Sequence, residues 1–393
     1  MKNSVIPRLL KFPHRSFFLF GPRGVGKSTW LKQQLSRVPI FDLLQTDLFI
    51  ELSRNPSLLE AKIGNIPEES WVCIDEIQKI PTLLNEVHRL IEKKKWRFAL
   101  SGSSARKLRR GGVNLLAGRA ITKHLAQFSF KEIGKQFNLK LALECGMLPM
   151  VVLAPEDAVE ILNAYVHTYI KEEIQEEGIV RKIEPFLRFI EIAGLINGQQ
   201  INSNNIASEA CLPRSNVDVY FSILVDTLLG HWLTAYRPGA KVRERTHPKF
   251  YWFDPGVARA ASGLLHDPVD SVWLGRALET LIFHELRVYN HISQKNRSIT
   301  FYRTSSNVEI DFIVETKKRQ QSSKSHVVCF EVKYAKKWNR KWEFPSRSLK
   351  TTGSIYVDKM FGVYMGKERY YFDDFTVLPV NDFLLMLYSG KIY

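Results

Sequence analysis

Cysteine is scarce in this chain. Its 393 residues hold 4 of them, Cys73, Cys145, Cys211 and Cys329, far apart and without a CxxC pair. That spacing excludes a disulfide framework and a cysteine-held metal cluster, and Cys73 and Cys329 sit in apolar runs that read as buried strands. Long hydrophobic runs are missing too. A spanning helix needs about 20 mostly apolar residues, and the stretches around Gly146–Ala154 and Ser222–Leu233 are shorter or interrupted. The apolar patch Phe17–Phe20 is too short for a signal-peptide core and runs straight into glycines. With no internal repeat, no low-complexity segment and 45% hydrophobic residues, disorder and collagen-like structure are excluded. The expectation is a soluble, reduced, cytoplasmic protein with no membrane partner.

Acidic residues are the minority: 40 Asp and Glu against 56 Lys and Arg leave a formal net charge of +16. Such a surplus speaks to association rather than fold: a basic chain can simply be soluble, and nucleic acid is the commonest specific partner of a multidomain basic protein. At about 100 to 200 residues per domain, the length predicts two or three domains.

Up to about Gly134 short apolar runs alternate with helical patterns, which predicts a parallel sheet covered by helices. The strands are expected at Phe17–Phe20, Ile40–Leu44, Trp71–Ile74, Phe98–Leu100 and Ala120–Leu125, and the helices at Lys27–Ser36, Leu48–Lys62 and Thr82–Lys95. The next hundred residues read as helical: Pro155–Glu177, Glu184–Ile196, Asn204–Ala210 and Pro213–Leu229, with Pro213 in a first turn. Strands follow at Trp232–Tyr236 and Lys249–Phe253, a helix at Val272–His291, then strands at Ser298–Thr304, Glu309–Glu315, Val327–Tyr334 and Gly353–Val357. The fold class is α/β, divided as 1–135 (P-loop sheet domain), 136–255 (helical lid and winged-helix-like segment) and 256–393 (a second α/β domain).

The residues Gly21, Pro22, Arg23, Gly24, Val25, Gly26, Lys27, Ser28 and Thr29 spell GxxxxGK[ST] between a strand and a helix. About 0.01 such matches are expected by chance in a chain of this composition. Glycines let successive N–H groups face phosphate oxygens, and the helix dipole favours negative charge there. Lys27 would reach the β- and γ-phosphates of ATP, and the Ser28 hydroxyl would ligate Mg²⁺. Downstream, Trp71–Ile74 ends in Asp75 and Glu76. Asp75 is placed to hold Mg²⁺ and Glu76 to activate the attacking water. Ser101, at the end of the next strand, is the candidate γ-phosphate sensor. Arg106 and Arg119 are each candidates for an arginine finger, which would require a homo-oligomer through this domain; the alternative is that both belong to a plain basic stretch.

The set Gly21–Thr29, Ile74-Asp75-Glu76, Ser101-Gly102-Ser103-Ser104 and Ala117-Gly118-Arg119 resembles prokaryotic AAA-type ATPases that carry a C-terminal domain of unknown function. The resemblance continues through Gly146…Pro149, Tyr165–Ile170 and Tyr251–Gly256, and it implies architecture more than purpose.

Near the C-terminus, Glu279 lies in the helix Val272–His291, Asp311 in a strand, and Glu331 and Lys333 two apart on the next, hence on one face. Two oxygen ligands on adjacent strands plus a helix carboxylate suit Mg²⁺ or Mn²⁺, with Lys333 positioned to help deprotonate a metal-bound water. Glu309 is the reserve ligand. This order resembles the PD-(D/E)xK, restriction-endonuclease-like nucleases, with Ile310 where a proline is usual and no convincing QxxxY helix after Lys333. A surface ion pair is the competing reading of Asp311.

Ile201–Gly230 has the rhythm of a helix-turn-helix: Ser203 as cap, Cys211-Leu212 as turn, Arg214, Ser215 and Asn216 at the exposed start of the second helix, and Arg243, Arg245 and Lys249 suited to a wing. The leading expectation is an ATP-dependent DNA-binding and DNA-processing enzyme with a metal-dependent nuclease-like domain. The alternatives are a nucleotide-switched regulator whose nuclease-like domain is inert, and a protein-remodelling ATPase.

Overall fold

The computed structural model describes residues 6–103, 106, 108, 116, 118–172, 183–237, 247–304, 308–319, 324–353 and 355–393. The first layer is a sheet of β1 (Phe17–Phe20), β2 (Ile40–Asp42), β3 (Trp71–Asp75), β4 (Arg97–Gly102) and β5 (Ile121–His124), in the order β2-β3-β4-β1-β5. Every neighbouring pair is parallel. Strand β1 is apolar at every position because both faces are covered. Phe18 and Phe20 join Val72, Ile74, Phe98 and Leu100 on one side; Phe17 and Leu19 meet Trp30, Leu31, Cys73 and Ala99 on the other.

Helix α1 (Lys27–Gln34) follows β1 directly. The single helix expected over Leu48–Lys62 is two, α2 (Thr46–Arg54) and α3 (Leu58–Ile63). Pro56 explains the break: the residue before a proline is driven out of the helical region, and Asn55 sits at φ −141°. Helix α4 (Leu83–Lys94) buries Leu83, Leu84, Val87 and Leu90 at helical spacing.

The middle of the chain is mostly helical. Short helices at Phe130–Ile133, Leu139–Glu144 and Pro149–Leu153 precede a segment that differs from the continuous helix expected at Pro155–Glu177. It is a 3₁₀ turn at Pro155–Asp157, an α-helix at Ala158–Ala164 and a π-helical turn at Tyr165–Ile170; residues 173–177 lie outside the described residues. Helices Ile183–Leu195, Ser203–Glu209 and Arg214–Asp226 follow, then an antiparallel ribbon of β6 (Gly230–Leu233) and β7 (Lys249–Trp252). The cap of Ser203–Glu209 is Asn202, whose side chain accepts from Asn204 and Asn205, rather than Ser203. Pro213 is an extended N-cap residue rather than a first-turn one. Arg243 and Arg245 lie outside the described residues.

Helix Pro255–Ala261 locks onto this layer through Asp254. Its buried carboxylate accepts from Gly256 and Val257, capping its own helix, and from Met147 at 2.7 Å. A Cβ on Gly146 (φ +82°) would collide with that carboxylate, and one on Gly256 with the Cys145 carbonyl. The two glycine motifs, over a hundred residues apart, are therefore two halves of one contact. Burial raises the Asp254 pKa to about 6 against its three backbone donors.

The C-terminal layer starts with the long helix Ser271–Ile292. Strands β8 (Ser298–Arg303), β9 (Glu309–Lys317) and β10 (His326–Lys333) form an antiparallel meander. After helix Phe344–Thr351 comes β11 (Tyr356–Tyr364), parallel to β10; β12 (Tyr370–Phe372), β13 (Phe375–Pro379) and helix Val380–Tyr388 complete a mixed sheet ordered β12-β13-β11-β10-β9-β8. The strand expected at Gly353–Val357 is thus shifted toward the C-terminus, because Gly353, at φ +65°, serves the end of the preceding helix. One apolar cluster runs from Phe17 through Tyr165, Phe189 and Trp252 to Phe283 and Phe330, so the three layers share a core. Among the described residues no helix is long and apolar enough to cross a membrane.

Candidate functional site

Strand β1 hands the chain to the glycine loop at the C-terminal edge of the sheet, the edge at which open α/β sheets bind ligands. Gly24 and Gly26 take φ of +79° and +89°, and no side chain caps α1. The N–H groups of its first turn thus remain as an anion cradle. Gly21 packs so closely on Leu125 that a Cβ would strike that carbonyl. The buried Lys27 ammonium donates to the carbonyls of Gly21 (2.8 Å) and Pro22 (3.0 Å). Ser28 is half-buried and Thr29 exposed.

Strands β3 and β4 end level beside the loop, Ile74 opposite Leu100. Asp75 is buried and accepts from the Ser101 hydroxyl. The next residue, Glu76, is in the left-handed region (φ 60°), which turns its carboxylate out of the strand line. The Gln78 amide donates to Glu76 and, at 3.4 Å, to Ser103. A Cβ on Gly102 would meet the Gln78 side-chain oxygen, so a larger residue there would displace the Gln78 amide.

The middle layer roofs this edge. Tyr165, in the π turn, donates from its hydroxyl to the Arg23 carbonyl at 2.9 Å, and the Arg23 guanidinium lies 4.6 Å over the Tyr169 ring. Beneath the loop, Arg8 donates to the Val25 carbonyl at 2.7 Å. Gln78 and Arg8 are contacts that sequence reasoning missed, since neither lies in a spacing that marks it; Tyr165 stands in a quoted motif, but its contact with the loop was not foreseen. Arg106 pairs with Asp226 and Arg119 with Glu92, both within the chain.

The C-terminal carboxylates also converge. Asp311 on β9 and Glu331 on β10 are buried, and Lys333 lies between them, 3.1 Å from Asp311 and 2.5 Å from Glu331. Asp311 also accepts from the Val332 amide at 2.7 Å, whereas Glu331 Oε2 is buried without a hydrogen-bond partner. Glu279 accepts from the Tyr251 hydroxyl at 3.0 Å and lies 3.9 Å from Lys249. Desolvation, reinforced by Asp311, raises Glu279 to about 7. The same two causes push Glu331 well above the carboxylate range. Lys333 stays protonated, its pKa raised by Asp311 and Glu331 against the cost of burial.

Lys249 corrects an expectation. Rather than reaching a DNA backbone it is buried, 2.5 Å from Glu309, which Arg303 also approaches at 3.4 Å. The reserve ligand Glu309 is thereby engaged by two cations. Arg214 and Ser215 are exposed and Asn216 is half-buried.

Among the described residues no three His, Cys, Asp or Glu side chains are gathered closely enough to hold a metal ion. The Lys333 ammonium stands between the two strand carboxylates, where a cation would balance them, and Glu331 Oε2 is left buried without a hydrogen-bond partner. At the glycine loop the donor set fits Mg²⁺ bound with a triphosphate: a hydroxyl at Ser28, a buried carboxylate at Asp75, and an uncapped helix N-terminus for the phosphates.

Residues 13–134 match a family model described as AAA domain. Residues 136–267 match a domain of unknown function (DUF8612), and residues 274–383 match another (DUF4143). No curated protein matches the chain. The first of these matches spans the parallel sheet together with Gly21–Thr29, Asp75 and Ser101, and the N-terminal layer is accordingly an AAA-type ATPase domain.

Proposed function

We propose that the protein binds ATP with Mg²⁺ at the glycine loop and hydrolyses it, and that hydrolysis drives a DNA-processing module in the C-terminal layer. The observation that carries the first half is the meeting, on one sheet edge, of the uncapped α1 N-terminus with buried Lys27, Asp75 and Ser101. In this reading Lys27 leaves the Gly21 and Pro22 carbonyls for the β- and γ-phosphate oxygens. Ser28 and Asp75 hold the metal, which when bound neutralises phosphate charge. Glu76, turned out of β3, orients the attacking water, and Ser101 fixes Asp75. Arg106 or Arg119 would have to exchange its present carboxylate partner to act on a neighbouring subunit.

For the second half, the support is the sequence order helix Glu279, strand Asp311, then Glu331 and Lys333, converging in one buried place of a mixed sheet flanked by helices. The net charge of +16 and the exposed start of helix Arg214–Asp226, set beside the β6–β7 ribbon as in a winged helix, support a nucleic-acid partner. A second reading has a specific observation behind it: Lys333 already balances the two strand carboxylates, as an inert, regulatory domain would have it.

One assay separates the readings. Duplex, branched and single-stranded DNA are incubated with the protein and Mg²⁺ or Mn²⁺, with and without ATP. Cleavage that Asp311→Ala and Lys333→Ala abolish establishes the nuclease. Absence of cleavage on every form leaves the regulator, and Glu76→Gln should in either case slow ATP hydrolysis about 10²- to 10⁴-fold.

A further inference from the structure

A cavity of about 250 Å³ opens between the ATPase layer and the C-terminal layer, apart from both sites above. It is lined by the end of β5 and the residues that follow, His124 to Gln127, by Arg8, and by Arg287 and His291 from helix Ser271–Ile292. The lining is cationic. Arg8 is balanced, because Glu132 accepts from it at 3.0 Å. That carboxylate is fully engaged, taking the Leu9 amide at 2.8 Å and the Ser129 amide at 2.9 Å as well.

Arg287 has no such counterpart. Among the described residues it makes no ion pair and no hydrogen bond, and its guanidinium lies 5.6 Å from the centre of the Phe283 ring. Burial pulls its pKa down to about 10 with no neighbouring carboxylate to oppose the fall. A half-buried guanidinium with no carboxylate partner has donors to offer, and an anion is what they suit. One turn on, the Nε2 of His291 is buried without a hydrogen-bond partner, and Lys123 and Arg287 both add positive potential around that ring. The cavity has room for about eight waters at about 30 Å³ each, the scale of a pyrophosphate or a small phosphate ester rather than of a drug-sized ligand.

We propose that this cavity is a binding site for a small phosphate-bearing anion, held by Arg287 and His291 of the C-terminal layer. The site would be linked to both ends of the molecule. Arg8 joins its lining to the glycine loop through the Val25 carbonyl at 2.7 Å. The helix that supplies Arg287 also carries Glu279, eight residues and about 12 Å earlier at 1.5 Å per residue.

The test is calorimetric titration of the full chain with pyrophosphate at constant ionic strength, repeated with inorganic phosphate and with adenosine monophosphate to separate a free phosphate from a phosphate ester. Lys27→Ala should lose the glycine-loop site and keep one equivalent of pyrophosphate binding. Arg287→Gln should weaken that remaining equivalent at least tenfold, and His291→Phe should weaken it in the same direction, with circular dichroism reporting the fold of each variant. If Lys27→Ala abolishes all pyrophosphate binding, the cavity is not an anion site. Unchanged binding in a folded Arg287→Gln, Lys27→Ala double variant overturns the assignment equally, and neither result bears on ATP hydrolysis at the glycine loop.

Discussion

Replacing Lys333 by methionine keeps most of its stem and removes its charge. With every group ionised, the cluster holds Glu279, Glu309, Asp311 and Glu331 against Lys249, Arg303 and Lys333. Without Lys333, Asp311 retains the Val332 amide, but Glu331 loses the ammonium at 2.5 Å and is left with no donor for either oxygen. Removing one partner of a buried pair costs about 3–5 kcal/mol. The lower end applies, because the Lys333 side chain keeps 26% of its exposure. With a urea dependence of about 2 kcal/mol per M, the midpoint for the C-terminal layer should fall by about 1.5 M at pH 8. The deficit should shrink on acidification, since the carboxylates can then take up protons. Glu331→Gln combined with Lys333→Met should recover most of it. Chemical denaturation followed by tryptophan fluorescence at pH 5.5 and 8 reads all three variants. If Lys333→Met unfolded at the wild-type midpoint at pH 8, the ammonium would not be balancing these carboxylates, and the electrostatic account of the cluster would be wrong.

Other outcomes follow from the packing and from the shifted titrations. Gly256→Ala drives a Cβ into the Cys145 carbonyl and should cost about 3 kcal/mol; Gly275→Ala, with nothing within 4 Å in a long helix, should be neutral or stabilise by up to about 1 kcal/mol. Thermal unfolding of both variants checks the pair, and equal effects would contradict it. Glu285 accepts from the Phe130 amide and the Tyr388 hydroxyl, and its burial raises its pKa to about 8. A carboxyl raised in the folded state stabilises below 4.5, and that contribution is lost as pH climbs to about 8. Glu285→Gln should therefore gain on wild type between pH 5 and pH 9 in melting temperature, and a gap constant across that range would refute it.

How much could be read in advance depended on whether a residue's role was local. The inner strands β1, β3 and β4 were legible because each is built on a short apolar run bounded by glycine, proline or charge. The glycine loop was legible because its geometry demands fixed spacing. Glu279, Asp311, Glu331 and Lys333 were singled out by their order, and burial brings them together. Lys249 was misread because a lysine heading the run Lys249–Trp252 looks like a solvated strand end; its burial is decided by Glu309, on a strand sixty residues later. The π turn at Tyr165–Ile170 left no mark in an apolar period that suits an α-helix equally well. The Asp254 lock joins segments a hundred residues apart, so its glycines were visible as motifs while their reason was not.

The central claim is that the loop from Gly21 to Thr29 holds a nucleoside triphosphate. Titration calorimetry of the purified chain with ATP and Mg²⁺, beside Lys27→Ala, tests it most directly. The expected result is one saturable equivalent for wild type and a loss of at least tenfold in affinity for the variant. Identical heats for the two proteins, or no heat for either, would contradict it.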